Sequence, residues 1–108
     1  MKAIQVVELT GPGSALRLVE LPEPEPLHIL TPGEGVLIDV HAAGVSFPEL
    51  LQSRGEYQLK PPLPFVPGGE VAGIVRSVPD GAAVRTGDRV ATFCVLGGFA
   101  EVLSRPNR

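Results

Sequence analysis

The chain has 108 residues, a formal net charge of −3 and a pI near 5.3, and its nine basic residues stand singly along it. Binding to nucleic acids or anionic membranes, which needs clustered basic residues, is therefore not expected, and no apolar run approaches the ~18 to 20 residues that cross a bilayer. The one cysteine, Cys94, leaves no internal disulfide and no cysteine cluster for a structural metal. We expect a soluble, cytoplasmic, single-domain protein whose partners are small molecules or other proteins.

The first third of the chain predicts two strands and an extended connector. Residues 2–8 and 16–21 are β-rich runs on either side of a Gly-Pro-Gly turn, which predicts a strand pair. The Pro-Glu-Pro-Glu-Pro run over residues 22–26 cannot donate backbone hydrogen bonds at its prolines, so we expect an extended surface connector. Thr-Pro-Gly-Glu at residues 31–34 has the arrangement of a type II turn and predicts that a strand follows.

That strand is predicted over residues 35–43, where residues alternate between an apolar face and a mixed face. One face is formed by Val36, Ile38 and Val40, and the other carries Leu37, Asp39 and His41.

A short helix should come next. Ser46 and Glu49 have the spacing of a capping box, and Pro48 suits the first turn of a helix. Gly55 is a natural helix end, so about two turns are available.

The second half of the chain predicts a loop and more strands. Residues 60–67 contain four prolines and should form an irregular, lid-like loop. Residues 70–78 predict a strand, and residues 89–96 and 99–103 predict two more, joined in a hairpin by Gly97-Gly98. Short strands, one short helix and no βαβ alternation indicate a mainly β protein built as a β-barrel.

Four segments together resemble the medium-chain dehydrogenase/reductase superfamily, most nearly its zeta-crystallin-type quinone oxidoreductases. They are Val40–Ser46, Leu63–Gly68, Glu70–Val75 and Thr86–Val90. The resemblance implies that residues 1–108 form the GroES-like, alcohol dehydrogenase-like N-terminal catalytic domain, a partly open β-barrel. It also implies a Rossmann cofactor domain, which this chain lacks. We therefore expect a C-terminally truncated chain that is able to self-associate through an exposed apolar seam.

The resemblance also identifies two positions that hold zinc ligands in zinc-dependent relatives. Those relatives carry Cys and His where this chain has Ser46 and Gly69, neither of which is a useful zinc ligand. The resemblance then implies a zinc-free reductase that transfers a hydride from NADPH to a quinone or an activated enone. Most of the cofactor would be bound by the missing domain, so we expect the 108-residue chain to be inactive alone.

Three residues are candidates for the site that the resemblance implies, and each has a structural alternative. The Ser46 hydroxyl is expected to contact the nicotinamide or the substrate carbonyl, or to cap the helix. Tyr57 is expected to border the cofactor and substrate cleft, where its phenol would orient the acceptor oxygen or donate a proton after hydride transfer, or only to pack. Phe65 is expected to line the substrate cleft, or to anchor its loop.

Glu49 and Glu70 are not interpreted as paired acid and base, because the first completes a capping box and the second begins a strand. A different class of function stays open at this stage. The same barrel could be a non-enzymatic GroES-like binding or interaction module, including a co-chaperonin-like protein that assembles into a ring.

Overall fold

The computed structural model describes residues 1–24 and 35–106, and it contains six strands and two short helices in those ranges. In chain order they are β1 Lys2–Val6, α1 Pro12–Ala15, β2 Leu16–Glu20, β3 Gly35–Ala43, α2 Phe47–Arg54, β4 Glu70–Ser77, β5 Arg89–Phe93 and β6 Val102–Pro106. The predicted type II turn and the end of the predicted connector lie outside the described residues. The predicted mainly β class is confirmed, and neither helix in the described part of the chain has the length or apolar character to cross a bilayer.

β1 and β2 pair antiparallel, as predicted, with Lys2 opposite Glu20 and Val6 opposite Leu16. Between them the predicted turn contains the four-residue helix α1, which was not predicted. Isolated bridges connect Val6 to Phe65 and Ala3 to Ala100. These bridges attach the small sheet to the rest of the molecule.

The larger sheet has four antiparallel strands in the order β5-β4-β3-β6, and it does not close on itself. Its long central strand β3 begins and ends at the predicted residues, and its register against β4 shifts twice. The second shift follows the pair formed by Val40 and Gly73. A Cβ on Gly73 would stand 2.1 Å from the Asp39 carbonyl oxygen, so only glycine fits there.

The predicted hairpin around Gly97-Gly98 is wrong. β5 pairs with β4 and β6 pairs with β3, so the two strands lie at opposite edges of the sheet. The segment between them instead runs beside the end of the proline-rich loop. There Gly97 N–H donates to the Val66 carbonyl over 2.9 Å, and Gly98 N–H donates to the Gly68 carbonyl over 3.0 Å.

Two small clusters of buried apolar residues form the core, one on the large sheet and one beside the small sheet. One contains Val36, Ile38 and Val75, and the other contains Val6, Ala15 and Phe65. Burying such side chains stabilises a fold by roughly 1.5 to 3 kcal/mol each for the larger ones. Leu37 is buried like its neighbours Val36 and Ile38, so the first half of β3 is covered on both faces.

Arg76 on β4 ties the connector to the large sheet. Its guanidinium donates to the Asp39 carboxylate on β3 over 2.6 and 2.8 Å and to the Glu23 carboxylate over 2.9 Å. These hydrogen bonds, first to Asp39 and then to Glu23, raise the pKa of Arg76 above its ordinary value. All three groups are solvent-exposed, so screening keeps their contribution to stability small.

Candidate functional site

The start of helix α2 places Ser46 at the N-cap, as the sequence predicted, but its hydroxyl does not cap the backbone. Ser46 has extended backbone angles, and its side chain makes no capping hydrogen bond to the helix backbone. Its hydroxyl donates to the two Glu49 carboxylate oxygens over 3.3 and 3.4 Å. The predicted capping interaction is therefore corrected. A carboxylate is the stronger acceptor for the hydroxyl, and Glu49, with 8% of its surface exposed, needs a donor.

Helix α2 ends as predicted at Gly55, which has left-handed angles (φ 71°). The Gly55 and Glu56 N–H groups donate to the Gln52 and Leu51 carbonyls over 3.1 and 2.9 Å. A Cβ on Gly55 would stand 2.9 Å from a Leu9 methyl carbon, at the end of a flexible side chain that can move aside, so the left-handed backbone is the main reason for glycine here.

A cavity of about 370 Å³ opens beside Ser46, between α1, the start of α2 and two loop segments. Its walls are mostly apolar, and its polar side chains are Ser46, Glu49 and Ser53. The apolar residues around it are Pro12, Leu16, Val45, Phe47, Leu50, Pro67 and Phe99. Mostly apolar walls with a few polar groups are typical of small-molecule sites. The cavity is large enough for a planar ring.

Gly69, at the second predicted zinc-ligand position, offers no side-chain donor. Its carbonyl accepts a hydrogen bond from Cys94 N–H over 2.7 Å. A Cβ on Gly69 would meet the Phe93 ring at 3.5 Å and the Val95 carbonyl oxygen at 3.7 Å, which are ordinary contacts. Both of these side chains are more than half exposed, at 67% and 53%. The surface beside Gly69 is therefore apolar.

Val95 has a backbone conformation that no sequence signal indicated. Its φ is 68°, an uncommon value for any residue but glycine and an outlier for a β-branched one. Leu96 N–H donates to the Cys94 carbonyl over 2.7 Å, which closes a γ-turn with Val95 at its centre. The neighbouring bonds to Gly69 and Val66 hold this strained turn in place.

Cys94 lies under this turn with its thiol directed to the Gly68 carbonyl at 3.3 Å. Burial raises the pKa of the thiol to about 11; Arg105 opposes the rise, and the carboxylates of Glu49 and Glu70 add to it. At neutral pH Cys94 is therefore a protonated donor, which makes it a poor nucleophile and a poor metal ligand.

The donor set around Ser46 and Gly69 does not fit zinc. Zinc requires three or four Cys, His, Asp or Glu ligands, and within residues 1–24 and 35–106 no three such side chains come close enough together to hold a metal ion. Glu70 begins β4 as predicted, and its exposed side chain lies over Gly44. At this site only Glu49 is a buried carboxylate, and it is engaged with Ser46.

The other two candidate residues lie apart from the lining of the Ser46 cavity. Tyr57 is half-buried just beyond α2, and in the described part of the chain it is not one of the residues that line this cavity. Phe65 is 8% exposed and packs in the core with Val6 and Ala15. It also exchanges backbone hydrogen bonds of 2.8 and 3.2 Å with Val6. This position favours the anchoring alternative for Phe65, and its role in substrate binding stays a prediction.

Comparison with known proteins gives the class to which this fold and site belong. Residues 32–107 match the family described as the alcohol dehydrogenase GroES-like domain. The chain is 45% identical to the quinone oxidoreductase of Rattus norvegicus over 94% of its own length and 30% of that protein. A probable oxidoreductase from Mycobacterium abscessus is 47% identical with a TM-score of 0.83, over 99% of this chain and 33% of that one.

A second solved structure, Escherichia coli quinone oxidoreductase complexed with NADPH, is 28% identical with a TM-score of 0.84, over 97% of this chain and 31% of that one. The chain therefore belongs to the alcohol dehydrogenase GroES-like domain family, in the quinone oxidoreductase branch of the medium-chain dehydrogenase/reductases. The resemblance inferred from its sequence is confirmed. The chain spans about a third of the length of these relatives.

Proposed function

We propose that residues 1–108 are the N-terminal GroES-like catalytic domain of a zinc-independent, cytoplasmic oxidoreductase that transfers a hydride from NADPH to a quinone or an activated enone. The observation that carries this proposal is the cavity beside Ser46, in a chain that matches a quinone oxidoreductase over 94% of its length. The cavity has apolar walls and a hydroxyl–carboxylate pair, which suits a planar, uncharged ring.

The donor set favours an acceptor that needs no Lewis acid. Ser46 is a neutral hydroxyl and Gly69 has no side chain, so neither supplies the positive charge that would polarise a simple ketone. Quinones and activated enones accept a hydride without such help, because the resulting anion is delocalised over the conjugated system. This chemistry supports zinc-independence and the proposed class of acceptor.

Bound NADPH would supply the hydride, and this chain would shape the place where the acceptor meets it. The apolar cavity walls would exclude water from the reacting atoms. Ser46 would bind a polar group at the cavity wall, and Tyr57 would supply a phenol at the end of α2. Tyr57 as proton donor to the reduced acceptor stays part of the proposal.

The cofactor would be held mostly by a Rossmann domain that is not among these 108 residues. In the described ranges all strand pairs are antiparallel, so they contain no βαβ unit to receive a pyrophosphate. We therefore propose that the isolated chain has no NADPH-driven turnover. NADPH as the cofactor is supported by the E. coli relative, which was solved with it.

The test is a chimera in which this chain replaces the matching third of the M. abscessus oxidoreductase. We expect the chimera to oxidise NADPH when a quinone is added, with no loss of rate in the presence of a zinc chelator. The 108-residue chain serves as the matched control and should show no turnover. Quinone-dependent turnover by the isolated chain, or dependence of the chimera on zinc, would contradict the proposal.

A non-enzymatic binding module is the second candidate, and the exposed apolar side chains favour it. Val45, Phe47, Phe93 and Val95 are 53 to 81% exposed, and such surfaces often mark a binding face. An apolar seam that the rest of a longer protein covers would also leave these side chains exposed in the isolated chain. We propose that the isolated chain self-associates through this seam. Sedimentation distinguishes the two: a defined heptameric ring supports the co-chaperonin-like module, whereas a monomer or an irregular dimer supports the enzyme domain.

A further inference from the structure

Phe93 and Val95 form an exposed apolar patch beside Gly69, which we call the Gly69 patch. A Cβ on Gly69 would stand 3.5 Å from Cε2 of the Phe93 ring and 3.7 Å from the Val95 carbonyl oxygen, so both residues lie against this glycine. Phe93 is 67% exposed and Val95 is 53% exposed. The patch therefore presents two apolar side chains at the surface.

Val95 occupies this patch in a strained conformation. Its φ of 68° is an outlier for a β-branched residue. Backbone hydrogen bonds of 2.7 Å hold the turn, one from Cys94 N–H to the Gly69 carbonyl and one from Leu96 N–H to the Cys94 carbonyl. Glycine would form the same turn without strain. What valine adds is its side chain, and because that side chain is half exposed, its use lies in a contact that the described residues do not provide.

The Gly69 patch adjoins the Ser46 cavity. Gly44 N–H donates to the Glu70 carbonyl over 2.9 Å, which holds the residue before Val45 beside the residue after Gly69. Val45 lines the cavity and is itself 81% exposed. Exposed apolar side chains are therefore present both at the cavity and at the patch next to it.

The space at the patch favours an uncharged, apolar occupant. A depression of about 640 Å³ lies between the adjoining ends of β3, β4 and β5, and Phe93 is one of its walls. Glu70 is the one charged side chain among the described residues that line it. A carboxylate repels an anionic group, whereas an alkyl chain would bury apolar surface here. Small residues form most of the remaining lining, namely Ala42, Ala43, Gly44, Ala72 and Ala91.

We propose that Val95 is a specificity-determining residue, which contacts an apolar side chain of the hydride acceptor while the acceptor ring occupies the Ser46 cavity. This inference rests on the proposed function and makes its substrate class more specific, as quinones that carry a long apolar side chain. Phe93 provides a second contact for that chain. The strained turn at Val95 then has a role, because it holds the isopropyl group where the acceptor buries it.

The test compares two benzoquinones with the same ring on the chimera with the M. abscessus oxidoreductase. One is 2,3-dimethoxy-5-methyl-1,4-benzoquinone, and the other carries an additional decyl chain at ring position 6. The measured quantity is the ratio of their kcat/KM values with NADPH in excess. We expect the decyl quinone to be preferred by about tenfold, which is the effect of roughly two buried methylene groups.

Two variants of Val95 separate the side-chain contact from an effect on the fold. Val95→Thr keeps the β-branched shape and replaces a methyl group by a hydroxyl, whereas Val95→Gly removes the side chain and the strain together. Both should lower the preference for the decyl quinone by about fivefold and leave kcat/KM for the short quinone within about twofold. Val95→Gly relieves strain, so its loss of preference would not come from unfolding. Leu18→Thr, at an apolar side chain of β2 that is 72% exposed, is the matched control and should keep the preference.

The outcomes distinguish this inference from the function on which it rests. A chimera that reduces neither quinone contradicts the proposed function, and the inference falls with it. Reduction of both quinones with equal kcat/KM overturns the inference alone. An unchanged preference in both Val95 variants does the same, and it is the result expected if Val95 belongs only to the self-association seam. An equal fall in Leu18→Thr would also overturn the inference.

A second measurement needs no cofactor. In the 108-residue chain the methyl NMR signals of Val95 should shift when the decyl quinone is added and stay constant with the short quinone. The methyl signals of Leu18 should stay constant with both. Val95 signals that do not respond to the decyl quinone would overturn the inference.

Discussion

Gly98 lies against the backbone of Gly68, and a Cβ built on Gly98 would stand 2.9 Å from the Gly68 carbonyl oxygen. The same position is 2.9 Å from a methyl carbon of Val71. Backbone atoms cannot move aside as the end of a flexible side chain can. The contact between Gly98 and Gly68, which joins the segment before β6 to the end of the proline-rich loop, therefore requires a residue without a side chain at position 98.

Gly98→Ala should therefore lower the free energy of unfolding by about 2 kcal/mol or more. Chemical denaturation monitored by circular dichroism measures the change. Gly13→Ala is the matched control, because a Cβ on Gly13 meets no atom within 4 Å and the residue lies in α1. The control should be neutral or stabilising by up to about 1 kcal/mol. Equal losses in both variants would show that the two glycine segments are not in close contact.

Val95→Gly should stabilise the protein, since glycine adopts a φ of 68° without steric cost. Val95 is 53% exposed, so little buried apolar area is lost. We expect a gain of up to about 1 kcal/mol in the free energy of unfolding, with the relief of strain partly offset by the greater freedom of glycine in the unfolded chain. Val45→Gly, at another exposed valine without positive φ, should destabilise instead. A loss in both variants would contradict the γ-turn at Val95.

Cys94 should resist alkylation until the pH is well above that of an ordinary thiol. Its pKa is raised from 9.0 to about 11, so near pH 8 its thiolate fraction, and with it the rate of reaction with iodoacetamide, should be about 100-fold below that of the unfolded chain. The sign follows from burial, which disfavours the charged thiolate. Between pH 9 and 10 the rate should rise about ninefold in the folded protein, whereas in denaturant it should rise less than about twofold. A rise of less than about twofold over this range in the folded protein would show that the thiol is not desolvated.

Arg76→Met should loosen the connector without unfolding the sheet. The variant loses the hydrogen bonds to Glu23 and Asp39, so the ¹³C shift of the Glu23 carboxyl carbon should move while the amides of the core strands stay protected from exchange. In 1 M salt the Debye length falls to about 3 Å, and the wild type should then approach the variant. Arg85→Met, which removes an exposed arginine elsewhere, is the control. The same Glu23 carboxyl shift in all three proteins would contradict the bridge.

Local patterns in the sequence predicted most strands, because strand formation depends largely on the types and order of neighbouring residues. β3 shows the period of a strand, and Gly55 ends α2 because left-handed backbone angles favour glycine. Gly97-Gly98 misled the prediction for a physical reason. Paired glycines are typical of a hairpin turn, but here Gly98 serves the approach of a segment about 30 residues earlier in the chain, which no short-range pattern records.

In the candidate site too, short-range features could be predicted from the sequence, whereas features that depend on tertiary packing could not. The spacing of Ser46 and Glu49 predicted the start of α2, yet the direction of the Ser46 hydroxyl depends on the burial of Glu49, and burial is a tertiary property. The γ-turn at Val95 could not be predicted, because a valine gives no signal for positive φ. The sequence left Phe65 as either a cleft residue or an anchor of its loop, and its pairing with Val6 favours the second.

The position of β6 in the sheet has a consequence for how the chain is made. β6 is the strand closest to the end of the described residues, yet it pairs with β3, roughly 70 residues earlier, so closing this pair carries a large loop-entropy cost. During synthesis on the ribosome, the edge of β3 that pairs with β6 stays unpaired until residue 106 has left the exit tunnel. The unpaired edge of β3 can pair with other nascent chains. Chaperone binding during synthesis should therefore be strongest before β6 emerges.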